Sequence, residues 1–278
     1  MPAETAAAAT LYLNLLKLCL TRLAFAEEYR PLLTPPMPGS PLQRRMQPLL
    51  ARLSCGLYRR VPVDAETRAA GSDWPADAET MVGLARLEQL QSAVRTLVDE
   101  EIPGDLIEAG TWRGGAAIFL RALLQAYGDR SRVVWVADSF AGLPAPDGRY
   151  RQDDGSPHWR SNAILGVPLA QVRDNFARYG LLDEQVRFLP GWFKDTLPHA
   201  PIERLALLRL DGDLYSSTMD ALASLYPRLS PGGYAVIDDY GALPECRQAV
   251  EDFRRGQGIS EPLQGIDWTG VFWRKQGR

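Results

Sequence analysis

The sequence contains few of the residues that build metal or disulfide frameworks, since its 278 residues include only three cysteines and two histidines. Cys19, Cys55 and Cys246 are far apart and form no CxxC pair. Neither a zinc site nor a disulfide framework is therefore predicted. The same scarcity favours the reducing cytoplasm as the compartment.

An excess of charge and a long apolar run are also lacking. The 31 basic and 34 acidic residues nearly balance, which argues against nucleic acid as the main partner. The apolar stretch 11–23 is interrupted by Asn14, Lys17 and Arg22, and the first residues contain no basic leader. We therefore expect no signal peptide and no membrane interaction, and a small molecule is the favoured partner.

The sequence does have 46% hydrophobic residues, enough for the core of one large or two small domains. Residues 11–27 have the spacing of an amphipathic helix, and six prolines from Pro31 to Pro48 interrupt that pattern. We predict that residues 1–77 are a helical N-terminal extension that assists oligomerisation or covers the substrate, and that 78–278 are the main domain. Nearby arginines form either a basic contact surface or a solvated insertion: Arg44, Arg45, Arg52, Arg59 and Arg60.

Beyond a second predicted helix at 78–99, short apolar runs alternate with helical segments, a pattern typical of an α/β fold with helices on both faces of a parallel sheet. Pro262–Asp267 and Gly270–Lys275 predict an antiparallel hairpin at the C-terminal edge. The stretch 146–168 is too long for an ordinary connection and is a candidate lid. The predicted parallel strands are Asp105–Ala109, Val133–Ala137, Val186–Leu189, Leu205–Leu210 and Tyr234–Ile237.

Ligands of an open parallel sheet bind beyond the carboxyl ends of its strands. Glu108 and Gly110 follow the first run, and the absence of GxGxxG there argues against a dinucleotide and a nicotinamide dehydrogenase. Asp138 follows the second run, where its carboxylate suits both hydroxyls of a ribose. A tight turn and a helix N-cap are the simpler alternatives. Together these residues favour a nucleoside with a positive centre, as in S-adenosylmethionine, and Trp192 either stacks on its adenine or packs in the core.

Acidic pairs follow two later runs. Asp211 and Asp213 end one, and Asp238 and Asp239 end the next. Neighbouring strands are about 4.8 Å apart, so these carboxylates converge if the strands are adjacent. A hard divalent cation relieves the repulsion between them, and Mg²⁺ is favoured over Mn²⁺ or Ca²⁺. Helix capping by Asp213 and Asp239 is the alternative.

Several blocks in order, from about Thr80 to Trp273, resemble the macrocin O-methyltransferase (TylF- and MycF-like) family, whose members methylate sugar hydroxyls of glycosylated natural products. The blocks include Ile107–Gly115, Val136–Phe140, Arg187–Thr196, Leu210–Asp213 and Leu229–Tyr240.

The resemblance implies a class I methyltransferase, Rossmann-like, with a mostly parallel seven-stranded sheet and a homo-oligomer that uses S-adenosylmethionine, Mg²⁺ and a glycosylated small-molecule acceptor. It also implies that Asp211, Asp238 and Asp239 hold Mg²⁺ and that Asp213 is the general base. The residues expected at the cofactor are Met81, Glu108, Gly110, Thr111, Trp112, Arg113, Gly114, Asp138, Ser139, Gly191 and Trp192.

Two other functions stay open from the sequence. A metal-dependent O-methyltransferase acting on a catechol or another small vicinal diol uses the same ligands, because adjacent oxygens chelate the cation. A non-catalytic module that binds S-adenosylmethionine has the same fold. Departures from the family pattern in the proline-rich stretch and in the candidate lid leave the acceptor unidentified.

Overall fold

Short, largely apolar strands form the central sheet of the computed structural model, which describes residues 3–31, 48–50, 52–53, 55–154 and 162–277. The sheet has seven strands in the order β5-β4-β3-β6-β7-β9-β8, and β3 to β7 are parallel. The predicted α/β fold and its antiparallel C-terminal hairpin are confirmed. The strands are β3 (Asp105–Ala109), β4 (Val134–Asp138), β5 (Val186–Pro190), β6 (Leu205–Leu210), β7 (Leu229–Ile237), β8 (Gln264–Gly265) and β9 (Val271–Arg274).

Side-chain alternation along the strands divides the core into two layers. Leu106 and Leu207 pack on one face of the sheet, in the layer that contains α1, α3, α4 and α6. Ile107 and Leu208, each one residue further on, pack on the other face against α8 and α9. The helices are α1 (Ala3–Leu20), α2 (Ala65–Ala70), α3 (Leu84–Asp99), α4 (Gly115–Tyr127), α5 (Asn162–Leu165), α6 (Leu169–Arg178), α7 (Phe193–Thr196), α8 (Tyr215–Leu225) and α9 (Pro244–Gln257).

The predicted N-terminal helix differs from the observed one at both ends. Helix α1 runs from Ala3 to Leu20, and a turn with Arg22 at φ +61° follows. The chain then forms β1 (Glu27–Pro31), which pairs with β2 (Tyr58–Pro62) in a two-stranded antiparallel sheet that the sequence analysis did not predict. The proline-rich residues 32–47, including Arg44 and Arg45, lie outside the described residues.

A buried ion pair attaches this two-stranded sheet to α2. Arg68 Nη2 donates to Glu28 Oε2 at 3.0 Å, and both side chains are almost completely buried. The same guanidinium donates from Nη1 to the carbonyl of Thr21 at 3.1 Å, just beyond α1. These bonds hold the parts of the extension together, and the apolar face of α1, with buried Leu13, Leu16 and Leu20, packs the extension against the core of the main domain.

Helix α3 begins at Leu84, later than the predicted residue 78, because Thr80 accepts a hydrogen bond from Val82 N–H and holds the preceding chain extended. The apolar spacing that suggested an earlier start belongs partly to this extended segment. Among the described residues, no helix has both the length and the apolar character needed to cross a bilayer.

Part of the predicted lid is fixed to the sheet domain. Arg149 forms paired bonds to Asp220 of α8 at 3.0 and 2.8 Å. Asp153 is 3% exposed and accepts the N–H groups of Tyr215 and Ser216, at 2.8 and 3.0 Å, at the N-terminus of α8. Residues 155–161, including His158, lie outside the described part of the chain.

Candidate active site

The turn from β3 into α4 contacts the end of β6 through the backbone. Gly110 has φ +89°, and a Cβ there would lie 1.7 Å from the carbonyl oxygen of Asp211. Gly110 N–H donates to Ala137 O, and Asp211 N–H donates to Ala109 O, both at 2.9 Å. Only glycine permits this approach and this φ. The turn around Gly110, which was predicted to contact the cofactor, is therefore held directly against Asp211, the first acidic residue after β6.

Asp138 joins the same turn at the end of β4. Its Oδ2 accepts the N–H groups of Thr111 and Trp112 at 2.7 and 3.3 Å, and its Oδ1 accepts that of Phe140 at 2.7 Å. Burial raises the pKa of Asp138, and these backbone donors oppose the shift. A carboxylate has about four lone-pair sites, and these donors fill three of them, so one site is left for a ribose hydroxyl. Asp138 therefore binds the turn that follows β3 and does not act as the helix N-cap that was the alternative.

Glu108 is a buried carboxyl beside this turn. It is 1% exposed, accepts the hydroxyl of Thr111 at 3.0 Å and pairs with Arg209 at 2.5 Å. Burial raises the pKa of Glu108 to about 7, although Arg209 opposes the shift. Glu108 thus bonds both the turn around Gly110 and the strand β6.

An acidic cluster lies at the ends of β6 and β7. One oxygen each of Asp211, Asp213 and Asp239 lies within 4.8 Å of the others. Burial and the neighbouring charges of Asp211 and Asp238 raise the pKa of Asp213 to about 8. Burial, then Asp211 and Asp213, raise the pKa of Asp239. Asp213 has φ +55°, a strained conformation for a non-glycine residue that is typical of functional sites. The cluster is suited to a cation.

Stability of the ligand-free protein should fall as pH rises from about 5 to 8. The pKa of Asp213 is about 8 in the folded protein against 3.8 ordinarily, so the folded state binds the extra proton in this range. Stability present at low pH is then lost at up to about 1.4 kcal/mol per pH unit for this group. Urea unfolding with EDTA at several pH values measures the slope, which Asp213→Asn should reduce. An equal slope in the variant would contradict the assignment.

Asp238 lies next to the cluster but is bound by two arginines. Arg86 of α3 donates to its Oδ2 at 2.5 Å, and Arg209 of β6 donates to its Oδ1. Burial alone would raise the pKa of Asp238, but the two arginines outweigh it and lower the pKa. Arg86 also bonds Asp267 at 2.8 Å. Neither arginine was predicted from the sequence, and the one signal for Arg209 was a single charge within an apolar strand.

A cavity of about 370 Å³ joins the two groups of predicted residues. Three residues predicted at the cofactor are not part of its lining, namely Arg113, Gly114 and Gly191. Arg113 donates to Ala78 O at 2.8 Å, Gly114 lies against Val172, and Gly191 N–H donates to Asp138 O at 2.8 Å. The predicted residues that line the cavity are Met81, Glu108, Gly110, Thr111, Trp112, Asp138, Ser139, Trp192, Asp211, Asp213, Asp238 and Asp239.

Comparison with known proteins identifies the family. Residues 9–275 match the model of the macrocin-O-methyltransferase (TylF) family. The chain belongs to this family. The methyltransferase is 57% identical to 8-demethyl-8-(2,3-dimethoxy-alpha-L-rhamnosyl)-tetracenomycin-C 4'-O-methyltransferase of Streptomyces olivaceus, over 78% of this chain and 87% of that one. It is 52% identical to mycinamicin III 3''-O-methyltransferase of Micromonospora griseorubida, over 79% and 87% of the two chains.

Solved structures of methyltransferases are similar to this chain. The O-methyltransferase NovP superposes with a TM-score of 0.82 at 43% identity, covering 97% of this chain and 100% of its own. The calicheamicin methyltransferase CalS11, at 18% identity and a TM-score of 0.54, covering 86% of this chain and 94% of its own, shares the fold. The protein is thus a class I, S-adenosylmethionine-dependent O-methyltransferase.

The methyltransferase cavity extends past the acidic cluster to aromatic and charged residues that were not predicted. Trp74 and Trp268 line it with about half of each side chain exposed, and Trp268 Nε1 donates to Ala70 O at 3.0 Å. Lys194 lies on the rim and bonds Asp147 at 3.1 Å. Trp74 and Trp268 come from separate loops and Lys194 from the short helix α7, so no local pattern in the sequence indicated them.

Proposed function

We propose that this methyltransferase transfers a methyl group to a sugar hydroxyl of a glycosylated natural product, in an antibiotic pathway and with Mg²⁺. One observation carries the proposal: three aspartate oxygens lie within 4.8 Å of one another in the cavity that also contains the turn around Gly110 and Asp138. The Streptomyces olivaceus relative is named for a rhamnosyl tetracenomycin, and the Micromonospora griseorubida relative for mycinamicin III.

The residues present fit a magnesium ion. All the donors are carboxylate oxygens, which Mg²⁺ prefers. The buried Arg86 and Arg209 pair with four carboxylates in this region: Glu108, Asp211, Asp238 and Asp267. Asp213 and Asp239 have no ion pair among the described residues, and their raised pKa values mean that their ionisation is unfavourable without a cation to compensate it. We propose Asp211, Asp238 and Asp239 as the residues that hold the ion; the oxygens of Asp238 keep lone pairs beside the arginines.

In the proposed mechanism, Asp213 accepts the proton of the acceptor hydroxyl. The hydroxyl oxygen then forms a bond to the methyl carbon as the bond from that carbon to sulfur breaks, and the sulfonium leaves as a neutral thioether. Bound Mg²⁺ supplies positive charge that lowers the pKa of the hydroxyl and of the surrounding carboxyls. Asp138 and Glu108 orient the donor, and the backbone contact at Gly110 holds both halves of the cavity in register.

S-adenosylhomocysteine should stabilise the protein against heat. A ligand at 100 times its Kd adds about 2.7 kcal/mol to the free energy of unfolding, or roughly 5–10 °C in Tm for a domain of this size. Thermal shift with and without Mg²⁺ measures this, with Asp138→Asn as the variant expected to lose most of it. No shift for the wild type would contradict the cofactor site.

The chemical class of the acceptor can be tested directly by methyl transfer. Transfer of labelled methyl from S-adenosylmethionine is measured on a rhamnosylated aromatic polyketide, on its aglycone and on a simple catechol. Methylation of the glycosylated compound alone supports the proposal. Methylation of the catechol at an equal kcat/KM would favour a diol or catechol methyltransferase.

We also propose a cytoplasmic homo-oligomer assembled through the N-terminal extension, residues 1–77. The supporting feature is the outer face of α1, where Leu11 and Leu15 are 72% and 60% exposed. Exposed apolar patches of this kind mark interfaces between protein chains. Light scattering after gel filtration should give a multiple of 30.8 kDa. Leu11→Asp combined with Leu15→Asp should reduce it to the monomer; a monomeric wild type would contradict the proposal.

A further inference from the structure

Arg209 connects the two halves of the cavity through a single buried side chain. Its Nη1 donates to Glu108 at 2.5 Å, and its Nη2 donates to Asp211 at 3.0 Å and also to Asp238. Glu108 lies beside the donor turn at the end of β3, whereas Asp211 and Asp238 lie at the acidic ends of β6 and β7. Glu108 thus belongs to the donor half-site, and Asp211 and Asp238 belong to the cation half-site. One positive charge bonds three carboxylates from these two half-sites.

This arrangement is not explained by stability alone. Arg209 is 1% exposed, and the other residues of β6 are apolar. Burying a guanidinium costs several kcal/mol, and apolar replacements of buried ion groups are often neutral or stabilising. The pKa of Glu108 also remains raised, to about 7, beside this guanidinium. At Glu108, Arg209 therefore does not outweigh the effect of burial.

We propose that Arg209 is a positioning residue that couples donor binding to cation binding, because the carboxylates of the two half-sites compete for its guanidinium. The inference rests on the proposed function. A ligand that draws Glu108 away from Arg209 leaves the guanidinium more tightly bound to Asp211 and Asp238, which are then less available to a cation. A cation on Asp211 and Asp238 has the converse effect on Glu108. Each ligand thus weakens the binding of the other.

The first test measures the effect of a donor-side substitution on cation affinity. Mn²⁺, which takes the same oxygen ligands, is titrated into the full-length ligand-free protein and free Mn²⁺ is followed by electron paramagnetic resonance. Glu108→Gln should weaken Mn²⁺ binding about fivefold or more. Asp138→Asn is the matched control, since it removes a donor-side carboxylate that accepts hydrogen bonds from backbone N–H groups rather than from Arg209. It should change the Kd of Mn²⁺ much less.

The converse test measures the effect of an acidic-side substitution on donor affinity. Asp238→Asn should weaken S-adenosylhomocysteine binding about fivefold in calorimetry without metal, because Arg209 then binds Glu108 more tightly. Asp213→Asn, compared at a pH above 8 where Asp213 is ionised, is the control that removes an equal charge from the cluster, and it should leave this Kd nearly unchanged. Equal effects of each variant and its control would mean that unspecific charge carries the coupling, which would overturn the proposal.

Arg209→Lys keeps the charge but loses the planar fork. In this background, Glu108→Gln should no longer alter the Kd of Mn²⁺; an undiminished effect overturns the proposal. Arg121→Lys, at a buried arginine paired with Asp183, is the control for an arginine replacement elsewhere and should preserve the effect. If Arg209→Lys does not fold, the proposal is decided by the effect of Glu108→Gln on the Kd of Mn²⁺ and by that of Asp238→Asn on the Kd of S-adenosylhomocysteine. A wild type that binds neither Mn²⁺ nor S-adenosylhomocysteine would contradict the proposed function instead.

Discussion

Asp213→Asn is expected to lower kcat by about 10²–10⁴-fold, the range that general base catalysis contributes. An amide keeps the size and the polar contacts of the carboxyl but does not accept the proton of the acceptor hydroxyl. The Kd values of S-adenosylhomocysteine and of Mn²⁺ should change little. Steady-state kinetics with a glycosylated acceptor, together with the two binding titrations, separate these effects.

Asp211→Asn is the companion variant for Asp213→Asn. It should weaken Mn²⁺ binding and lower turnover together, because Asp211 is proposed to hold the metal ion. An equal loss of Mn²⁺ affinity in the Asp213 variant would contradict its role as base and make it a ligand. The comparison distinguishes a base from a ligand at neighbouring positions, because the oxygens of Asp211 and Asp213 lie within 4.8 Å of each other. Asp238, in contrast, is bound by two arginines.

Gly110→Ala is expected to abolish S-adenosylhomocysteine binding and methyl transfer. The new Cβ would lie 1.7 Å from the carbonyl oxygen of Asp211, and its φ of +89° is strained for alanine. The turn and the end of β6 must separate, and a backbone clash of this kind is expected to cost several kcal/mol of stability. Calorimetric titration and urea unfolding measure the two effects.

Gly128→Ala is the matched control for Gly110→Ala. Gly128 also has a positive φ, +74°, but a Cβ there meets no atom within 4 Å. The substitution should cost about 1 kcal/mol through backbone strain alone and leave ligand binding intact. If Gly110→Ala bound S-adenosylhomocysteine as the wild type does, the close approach would have no part in building the site.

Patterns within single strands made much of the fold predictable from the sequence. Leu205–Leu210 is apolar along its whole length and is the buried central strand β6. The β1–β2 pair was not predictable in the same way, since Glu27–Pro31 and Tyr58–Pro62 lack alternation and are separated by a long insertion. Their positions are stabilised by tertiary contacts such as that of Glu28 with Arg68.

The four aspartates of the candidate site were visible in the sequence, but their grouping and their arginine partners were not. The sequence indicates four aspartates after β6 and β7, yet adjacent residues on a strand point in opposite directions. Which three converge depends on the backbone at Asp213, where φ is +55°. The partners of Asp238 come from β6 and from helix α3, 29 and 152 residues away in sequence. Only the packed structure identifies Arg86 and Arg209 as those partners.

Asp153 makes the start of α8 a spectroscopic probe of the segment predicted as a lid. The amide protons of Tyr215 and Ser216 are bonded by Asp153, 62 and 63 residues earlier in the chain, rather than by a neighbouring side chain. Their exchange with solvent deuterium requires that these hydrogen bonds break. Two backbone amides close to Asp213 would thus report, by hydrogen exchange, any separation of this segment from α8.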